Sequence, residues 1–269
     1  MKTKLNKQRV VVKVGTGILF NSSGAPRAEA FESIAGQVAW CQKNGSEVIV
    51  VTSGAVAAAR YLLTLSGKDS SRFTKQELAG IGASYLLSMW NKAFAPRDIN
   101  TAQILLTYHN LFNTGERASI HRAIEAYCAN GIIPLINEND VVSATEILSM
   151  EKGGSDNDWL ASMVALLSLP GAVLFLSEIG GIFEKNAATG ELQSRYAEIH
   201  AQNVPPFLLT ASEASGNGRG GMRSKIRAAI RCHKRGMRVS VAGLHKHTIT
   251  DFVSGTHVGT MFGTVTRLG

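Results

Sequence analysis

Residues 10–17 of the chain read VVVKVGTG, and residues 48–57 read VIVVTSGAVA. In each stretch a run of β-branched residues leads into small residues and glycine, which predicts a buried strand followed by a tight turn. The apolar residues between the two stretches recur at helical spacing: Phe31, Ile34, Val38 and Cys41. Gly45 follows them as a C-terminal cap. A strand, a helix and a second strand in this order predict two parallel strands joined by a covering helix.

The alternation of short apolar runs and amphipathic stretches continues along the chain. Further strands are predicted at residues 101–106, 132–136, 172–176 and 238–242, and further helices at residues 114–129, 156–168 and 223–234. Residues 184–195 predict a hairpin or a lid, and residues 257–265 predict a final hairpin. The sequence therefore predicts an α/β fold whose mainly parallel sheet has at least five strands and helices on both faces.

Composition excludes several classes of protein. The chain has 269 residues, of which 45% are hydrophobic and 18% charged, so it is not a disordered chain. Its three cysteines, Cys41, Cys128 and Cys232, lie far apart and predict neither disulfides nor a zinc site, which favours the cytoplasm. Lys13 interrupts the first apolar run, so no signal peptide is expected. Pro170 divides the one uncharged stretch near membrane-spanning length, so no membrane partner is expected either.

The net charge indicates anionic ligands. Lysine and arginine number 28 against 20 aspartates and glutamates, which gives 28 − 20 = +8 with histidine neutral. The basic residues are spread along the chain, and the aromatic residues, 7% of the total, form no interleaved stacking pattern. Nucleic acid is therefore not an expected partner, and small anions are the simpler expectation.

Polar residues and glycines gather where the predicted strands end. In an open α/β sheet, ligands bind just beyond the carboxyl ends of the strands. Four such ends are unusually rich in these residues: residues 13–17, 52–55, 137–140 and 177–181. Turn formation explains one or two polar residues at a strand end, but not four such ends together. The sequence therefore predicts one ligand site along this edge of the sheet.

Lys13 and Ser53 each allow two interpretations. A lysine inside an apolar strand needs an anionic partner such as a phosphate, unless it reaches solvent at the strand end. Gly15 and Gly17 would let backbone amides approach that anion, with Thr16 as a hydroxyl donor. Ser53 either contributes to an anion site at the start of the next helix or is a plain N-cap.

Two further segments complete the predicted site. Residues 137–140 read NEND, two amides and two carboxylates, and Asp158 follows in the first turn of a helix, where it would orient lysines or hold magnesium through solvent. The glycine-rich residues 216–221 precede Lys225, as a phosphate clamp or as a flexible surface loop. The histidines of residues 245–247 have no third ligand nearby, so no metal site is predicted. Lysines, glycine-rich loops and a polar pocket together indicate phosphoryl transfer.

Five segments resemble the amino acid kinase family in order and spacing: residues 11–16, 51–57, 136–140, 155–158 and 220–225. The pairing of INEND with DND is similar to the members that act on glutamate, rather than on aspartate, carbamate, acetylglutamate or uridylate. The resemblance implies a three-layer αβα sandwich and ATP-dependent phosphorylation of the glutamate side-chain carboxylate, the first step of proline biosynthesis. It also implies Mg²⁺ bound through the nucleotide phosphates, with no protein metal ligands.

The resemblance further implies a role for each matching residue. The implied catalytic residues are Lys13, Asp158 and Lys225. The implied glutamate-binding residues are Ser53, Gly54, Asn137, Asp140 and Asn157; by chemistry, Asp140 would pair with the substrate ammonium while Ser53 and Asn157 donate to its carboxylates. The implied ATP-binding residues are Lys13, Gly15, Ser177, Glu178, Arg219, Gly220, Gly221, Met222, Arg223, Ser224 and Lys225.

Several positions depart from the family pattern and leave two alternatives open. Ser177-Glu178 replaces a usual Thr-Asp pair, Arg219 replaces a usual threonine, and Ser155 replaces a usual glycine. The changes at Ser177, Glu178 and Arg219 favour, as one alternative, a catalytically silent regulator that binds an amino acid. Gly82-Ala83 replaces a usual Gly-Gln pair, which favours, as the other, a kinase for another carboxylate or a phosphate acceptor.

The resemblance also implies an organisation. Residues 1–269 would form a single kinase domain, with a substrate-binding lobe over about residues 1–170 and a nucleotide-binding lobe over about residues 171–269. We expect no C-terminal PUA domain, although many bacterial members carry one. The implied partners are glutamate and ATP, further copies of the chain in a dimer or tetramer, proline as a feedback ligand and, transiently, glutamyl-phosphate reductase.

Overall fold

The computed structural model of the chain describes residues 8–142, 157–185, 189, 191–200, 204–205 and 221–263. Its strands are β1 (Arg9–Val14), β2 (Glu47–Val51), β3 (Thr101–Leu106), β4 (Ile133–Glu138), β5 (Ala172–Leu176), β6 (Phe183–Lys185), β7 (Leu192–Arg195), β8 (Glu198–Ile199), β9 (Arg238–Ala242) and β10 (Thr260–Phe262). Its α-helices are α1 (Thr16–Leu19), α2 (Ala28–Lys43), α3 (Ala55–Leu65), α4 (Lys75–Phe94), α5 (Tyr108–Phe112), α6 (Thr114–Ala129), α7 (Asn157–Ser168), α8 (Met222–His233) and α9 (Thr248–Val253). Short 3₁₀ turns lie at Ser70–Arg72 and Ala95–Arg97.

Eight strands form one sheet in the order β3-β4-β2-β1-β5-β9-β10-β8. Strands β3, β4, β2, β1, β5 and β9 run parallel, and β10 runs antiparallel to β9. The first four strands in the chain occupy one half of this sheet, and β5, β9, β10 and β8 occupy the other, while β6 and β7 form a separate two-stranded sheet. Strand β1 lies between β2 and β5, so the end of β1 stands at the centre of the carboxyl edge.

Helices cover both faces of the sheet. One face packs against α2, α4 and α9 and includes Val10 and Val12 of β1. The other packs against α6, α7 and α8 and includes Val11. Because side chains alternate along a strand, Lys13 lies on the same face as Val11, toward α7 and α8. Lys13 therefore lies on the face of the sheet that α7 and α8 cover.

The predicted α/β class, the mainly parallel sheet and the helices on both faces are confirmed. The strands at residues 101–106, 172–176 and 238–242 have the predicted bounds, and the antiparallel pairing of β6 with β7 confirms the hairpin predicted for residues 184–195, with β6 beginning one residue earlier. Position 156, the predicted start of α7, lies outside the described residues. No helix among the described residues is long and apolar enough to cross a membrane.

The prediction of a final hairpin at residues 257–265 is wrong for the part that the structure describes. Strand β10 instead pairs with β9 and β8 inside the main sheet. Its buried Thr260 donates from Oγ1 to the carbonyl of Tyr196 at 2.6 Å and accepts from the amide of Ile182 at 2.9 Å. These bonds to distant residues fix β10 within the sheet, which a local turn pattern does not reveal.

Candidate active site

Lys13 lies near the end of β1 and is buried, with 4% of its surface exposed. The alternative that its side chain reaches solvent is therefore wrong. Its ammonium group lies 2.6 Å from Oδ1 of Asp158. A buried lysine is stable only beside an anionic partner, and α7 supplies one.

Asp158, in the first turn of α7, joins two lysines. Its Oδ2 accepts a hydrogen bond of 2.8 Å from Nζ of Lys225, while its Oδ1 contacts Lys13. The aspartate is fully buried. Burial by itself raises the pKa of Asp158, but the charges and hydrogen bonds of Lys13 and Lys225 outweigh it, so the pKa lies below its ordinary value. Two ammonium groups and one carboxylate leave one positive charge in a buried site.

Helix α8 brings Lys225 to Asp158. Gly221 precedes the helix in an extended conformation, and the amide of Ser224 bonds back to the carbonyl of Gly221 at 3.1 Å. Two turns further along, Arg231 donates to Oγ of Ser162 on α7 at 2.9 Å. The two helices are thus joined by polar contacts at two levels, which fixes where the ammonium group of Lys225 lies.

The turn after β2 holds Ser53. Gly54, just before α3, has a φ of +108°, and a Cβ there would come within 2.6 Å of the ring of Phe20, so glycine is required. Oγ of Ser53 donates to the carbonyl of Val14 at 2.9 Å and accepts from Oγ1 of Thr16 at 3.2 Å. The plain N-cap interpretation of Ser53 is therefore wrong, since Gly54 is the N-cap and no side chain among the described residues caps α3.

A polar pair joins β4 to α7. Nδ2 of Asn157 donates to Oδ1 of Asn137 at 3.1 Å. Oδ1 of Asn157 is buried and has no hydrogen-bond partner among the described residues. Asn157 thus presents an acceptor that no described residue uses, and its Nδ2 keeps a second N–H beside the one donated to Asn137. Asp140 follows β4 in a half-buried turn, at the same edge of the sheet.

The predicted nucleotide residues lie on the other side of Lys13. A Cβ built on Gly15 would lie 3.6 Å from the carbonyl of Leu176 and 3.7 Å from Nζ of Lys13, so the loop after β1 faces the end of β5. Ser177 is buried and bonds through its amide to the carbonyl of Ala242 at 2.8 Å.

Glu178 is exposed, and its carboxylate stands over Gly17, where a Cβ would come within 2.3 Å of Oε2. Met222, Arg223 and Ser224 form the first turn of α8. Arg219 and Gly220 lie outside the described residues.

An aromatic contact that the sequence does not predict lies beside this site. The rings of Tyr108 and Trp159 stack with centroids 3.9 Å apart, which ties the start of α5 to the first turn of α7 next to Asp158. Two aromatic residues in separate helices give no local pattern, so only the fold brings them together.

The cysteines are buried, as expected for core residues. Burial raises the pKa of Cys41 and of Cys232 to about 12, and that of Cys128 to about 11. A thiol needs a lowered pKa to act as a nucleophile at neutral pH, so none of the three is suited to that role.

Known proteins share the sequence pattern and the fold of this chain. The profile of the amino acid kinase family matches residues 8–243. Glutamate 5-kinase of Thermus thermophilus is 34% identical over 263 residues, which are 97% of this chain and 69% of that protein. Glutamate 5-kinase of Enterococcus faecalis is 30% identical over 97% of both chains. The solved structure of carbamate kinase from Giardia lamblia bound to AMP-PNP matches with a TM-score of 0.67 at 12% identity, over 96% of this chain and 99% of that chain, which shows a shared fold.

Proposed function

This chain belongs to the amino acid kinase family, and on that premise we propose that it is a glutamate 5-kinase. It transfers the γ-phosphoryl group of ATP to the side-chain carboxylate of L-glutamate and releases ADP and L-glutamyl 5-phosphate. A bond forms between a carboxylate oxygen and the γ-phosphorus, and the bond from that phosphorus to the β–γ bridging oxygen breaks. A glutamate side chain is ionised at neutral pH, so the acceptor needs no general base.

The contact that carries this proposal is the double bridge of Asp158 to Lys13 and Lys225. The two ammonium groups lie on opposite oxygens of one buried carboxylate, which holds them as a pair. When the phosphoryl group moves between acceptor and ADP, they neutralise the negative charge on its oxygens. Charges fixed in a buried site stabilise a transition state more strongly than charges in water.

The acceptor half of the site lies toward β2 and β4. The uncapped first turn of α3, next to Ser53, offers backbone amides to a carboxylate of glutamate. Oδ1 of Asn157, which no described residue bonds, and the carboxylate of Asp140 suit the substrate ammonium group, because both accept hydrogen bonds. Ser53 gives its own proton to Val14, so its hydroxyl must rotate before it can donate to the substrate.

The nucleotide half lies toward β5 and α8. Gly15, Ser177 and the first turn of α8 line the side of Lys13 away from β2, and the first amides of α8 suit phosphate oxygens. Magnesium would enter on the phosphates of ATP and neutralise charge on the leaving diphosphate, as Mg²⁺ does in other kinases. Both oxygens of Asp158 contact ammonium groups, so this carboxylate fits the orientation of lysines better than direct metal coordination.

The two lobes of the chain have separate roles in this function. We assign acceptor binding to the lobe of about residues 1–170 and nucleotide binding to that of about residues 171–269. We further propose a dimer or tetramer in the cytoplasm, where ATP and free glutamate occur together, with proline as a feedback ligand and glutamyl-phosphate reductase as the consumer of the labile product.

Trapping the product with hydroxylamine tests the function. With ATP, Mg²⁺ and glutamate, we expect a glutamate-dependent hydroxamate together with ADP, because hydroxylamine attacks an acyl phosphate. Absence of hydroxamate at high enzyme concentration contradicts the proposal. A panel of other carboxylates and phosphate acceptors, scored by ADP release, then identifies a different kinase. Calorimetry that shows amino-acid binding without ATP binding or turnover identifies the silent regulator.

A further inference from the structure

The buried indole of Trp90, on α4, bonds to the acceptor half of the site. Its Nε1 donates to Oγ1 of Thr52 at 3.0 Å. Thr52 is itself buried and directly precedes Ser53. A buried tryptophan N–H needs an acceptor, but this one lies at the end of β2 rather than in the surrounding core.

Thr52 links Trp90 to the turn between β2 and α3. Its hydroxyl accepts from Trp90 and points its own proton at the carbonyl of Ser53, 3.4 Å away. Its backbone amide bonds to the carbonyl of Ile136 on β4 at 2.9 Å. The peptide between Ser53 and Gly54, which leads into α3, is therefore oriented from α4 through one hydroxyl.

The indole of Trp90 is held in place by aromatic packing, so it cannot readily move if the turn at residues 52–55 shifts. It packs edge-on against Phe31, with ring centroids 4.8 Å apart, and stacks on Phe94 at 6.0 Å. Helix α4 also touches α3 directly, since a Cβ on Gly82 would lie 1.8 Å from the carbonyl oxygen of Ala55. Helix α4 is thus a rigid support behind residues 52–55.

We propose that Trp90 is a positioning residue for the acceptor: through Thr52 it holds Ser53 and the first turn of α3 in the arrangement that binds the carboxylate substrate. The inference rests on the proposed function. Trp90 packs in the core on the face of the sheet opposite to that of Val11 and Lys13, and its hydrogen bond goes to the end of β2. Its loss must therefore weaken acceptor binding selectively.

Kinetics of Trp90→Phe and Thr52→Val test this. Each variant removes one side of the hydrogen bond, and we expect each to raise KM for glutamate about three- to tenfold while kcat and KM for ATP stay within about twofold. The double variant should be no worse than the worse single variant, because both changes remove the same bond. Thr52→Ser, which keeps the hydroxyl, should restore KM for glutamate.

Phe94→Leu is the control for lost packing, since it removes a ring stacked on Trp90 but no hydrogen-bonding group. It should lower the unfolding temperature without a selective change in KM for glutamate. An unchanged KM in Thr52→Val, equal rises for ATP and glutamate, or additive effects in the double variant would overturn the positioning role. A wild-type enzyme that makes no hydroxamate instead overturns the proposed function, so the two failures are distinguishable.

Discussion

Nζ of Lys13 lies 2.6 Å from Oδ1 of Asp158, and both side chains are almost wholly buried. The strand that carries the lysine and the helix that carries the aspartate meet only in the folded chain. Lys225 completes the bridge from a third element. The proposed chemistry and part of the stability therefore depend on the same three side chains.

Replacement of either lysine should lower kcat more than it weakens substrate binding. For Lys13→Met and Lys225→Met we expect kcat to fall by about 10²- to 10³-fold, since each removes a preorganised charge from the transition state. The hydroxamate assay measures the loss. Lys92→Met, at an exposed position of α4, is the matched control and should keep full activity. A lysine variant with wild-type kcat would exclude that lysine from the mechanism.

Asp158→Asn should destabilise the fold in a pH-dependent manner. The change leaves two buried ammonium groups without their carboxylate, at a cost of about 3 kcal/mol or more. The pKa of Asp158 is lowered from 3.8, so the stability it contributes is fully present above about pH 4 and is lost as the pH falls below that value. Urea denaturation between pH 3 and pH 7 should therefore give the wild type a larger free energy of unfolding than Asp158→Asn. This difference should become smaller only near pH 3.

The exposed Asp98→Asn variant is the control for that series and should track the wild type at every pH. If the difference in free energy of unfolding between the wild type and Asp158→Asn stays constant down to pH 3, the lysines do not lower the pKa of Asp158.

Gly82→Ala should disrupt the contact between α3 and α4. Its Cβ would lie 1.8 Å from the carbonyl oxygen of Ala55 and 2.6 Å from the amide nitrogen of Ala59, and both are backbone atoms. We expect a loss of about 3 kcal/mol in the free energy of unfolding.

Gly80→Ala, on the same helix, meets only the movable Cγ2 of Val141 at 3.2 Å. It should be neutral or stabilising by about 0.5–1 kcal/mol, because alanine favours a helix. Equal effects of the Gly80 and Gly82 variants in urea denaturation would contradict the close contact.

His233 should make the protein sensitive to mild acid. Burial lowers its pKa below 6.5, His200 lowers it further, and the backbone of Met237 and Glu198 act in the opposite direction. The unfolded chain then binds a proton that the folded chain does not, so stability falls as the pH drops below about 6.5. His233→Gln should remove this dependence between pH 7.5 and pH 5.5, whereas the exposed His257→Gln should retain it.

The fold was largely predictable because its signals are local. The strand at 10–14 and the helix ended by Gly45 follow from runs of β-branched residues, helical spacing and a glycine cap. Strand β10 was mispredicted because its pairing depends on Thr260 and distant backbone groups, which no local pattern encodes.

The candidate site was predictable in its residue types but not in its contacts. Lys13 stood out because a lysine in an apolar strand is costly, and Ser53 because it ends a strand. The contacts of the site are not predictable from the sequence, because they join separate elements. Examples are the hydrogen bond from Ser53 to Val14 and that from Trp90 to Thr52.

By itself the sequence determined that the chain is α/β and that lysines, glycines and carboxylates collect at its strand ends, because these follow from periodicity and the cost of burying charge. Only the tertiary structure decided that VVVKV turns Lys13 toward α7, that one aspartate bridges two lysines, and that a tryptophan supports the turn at Ser53. Strand register and helix packing set those contacts, and both depend on groups far apart in the chain.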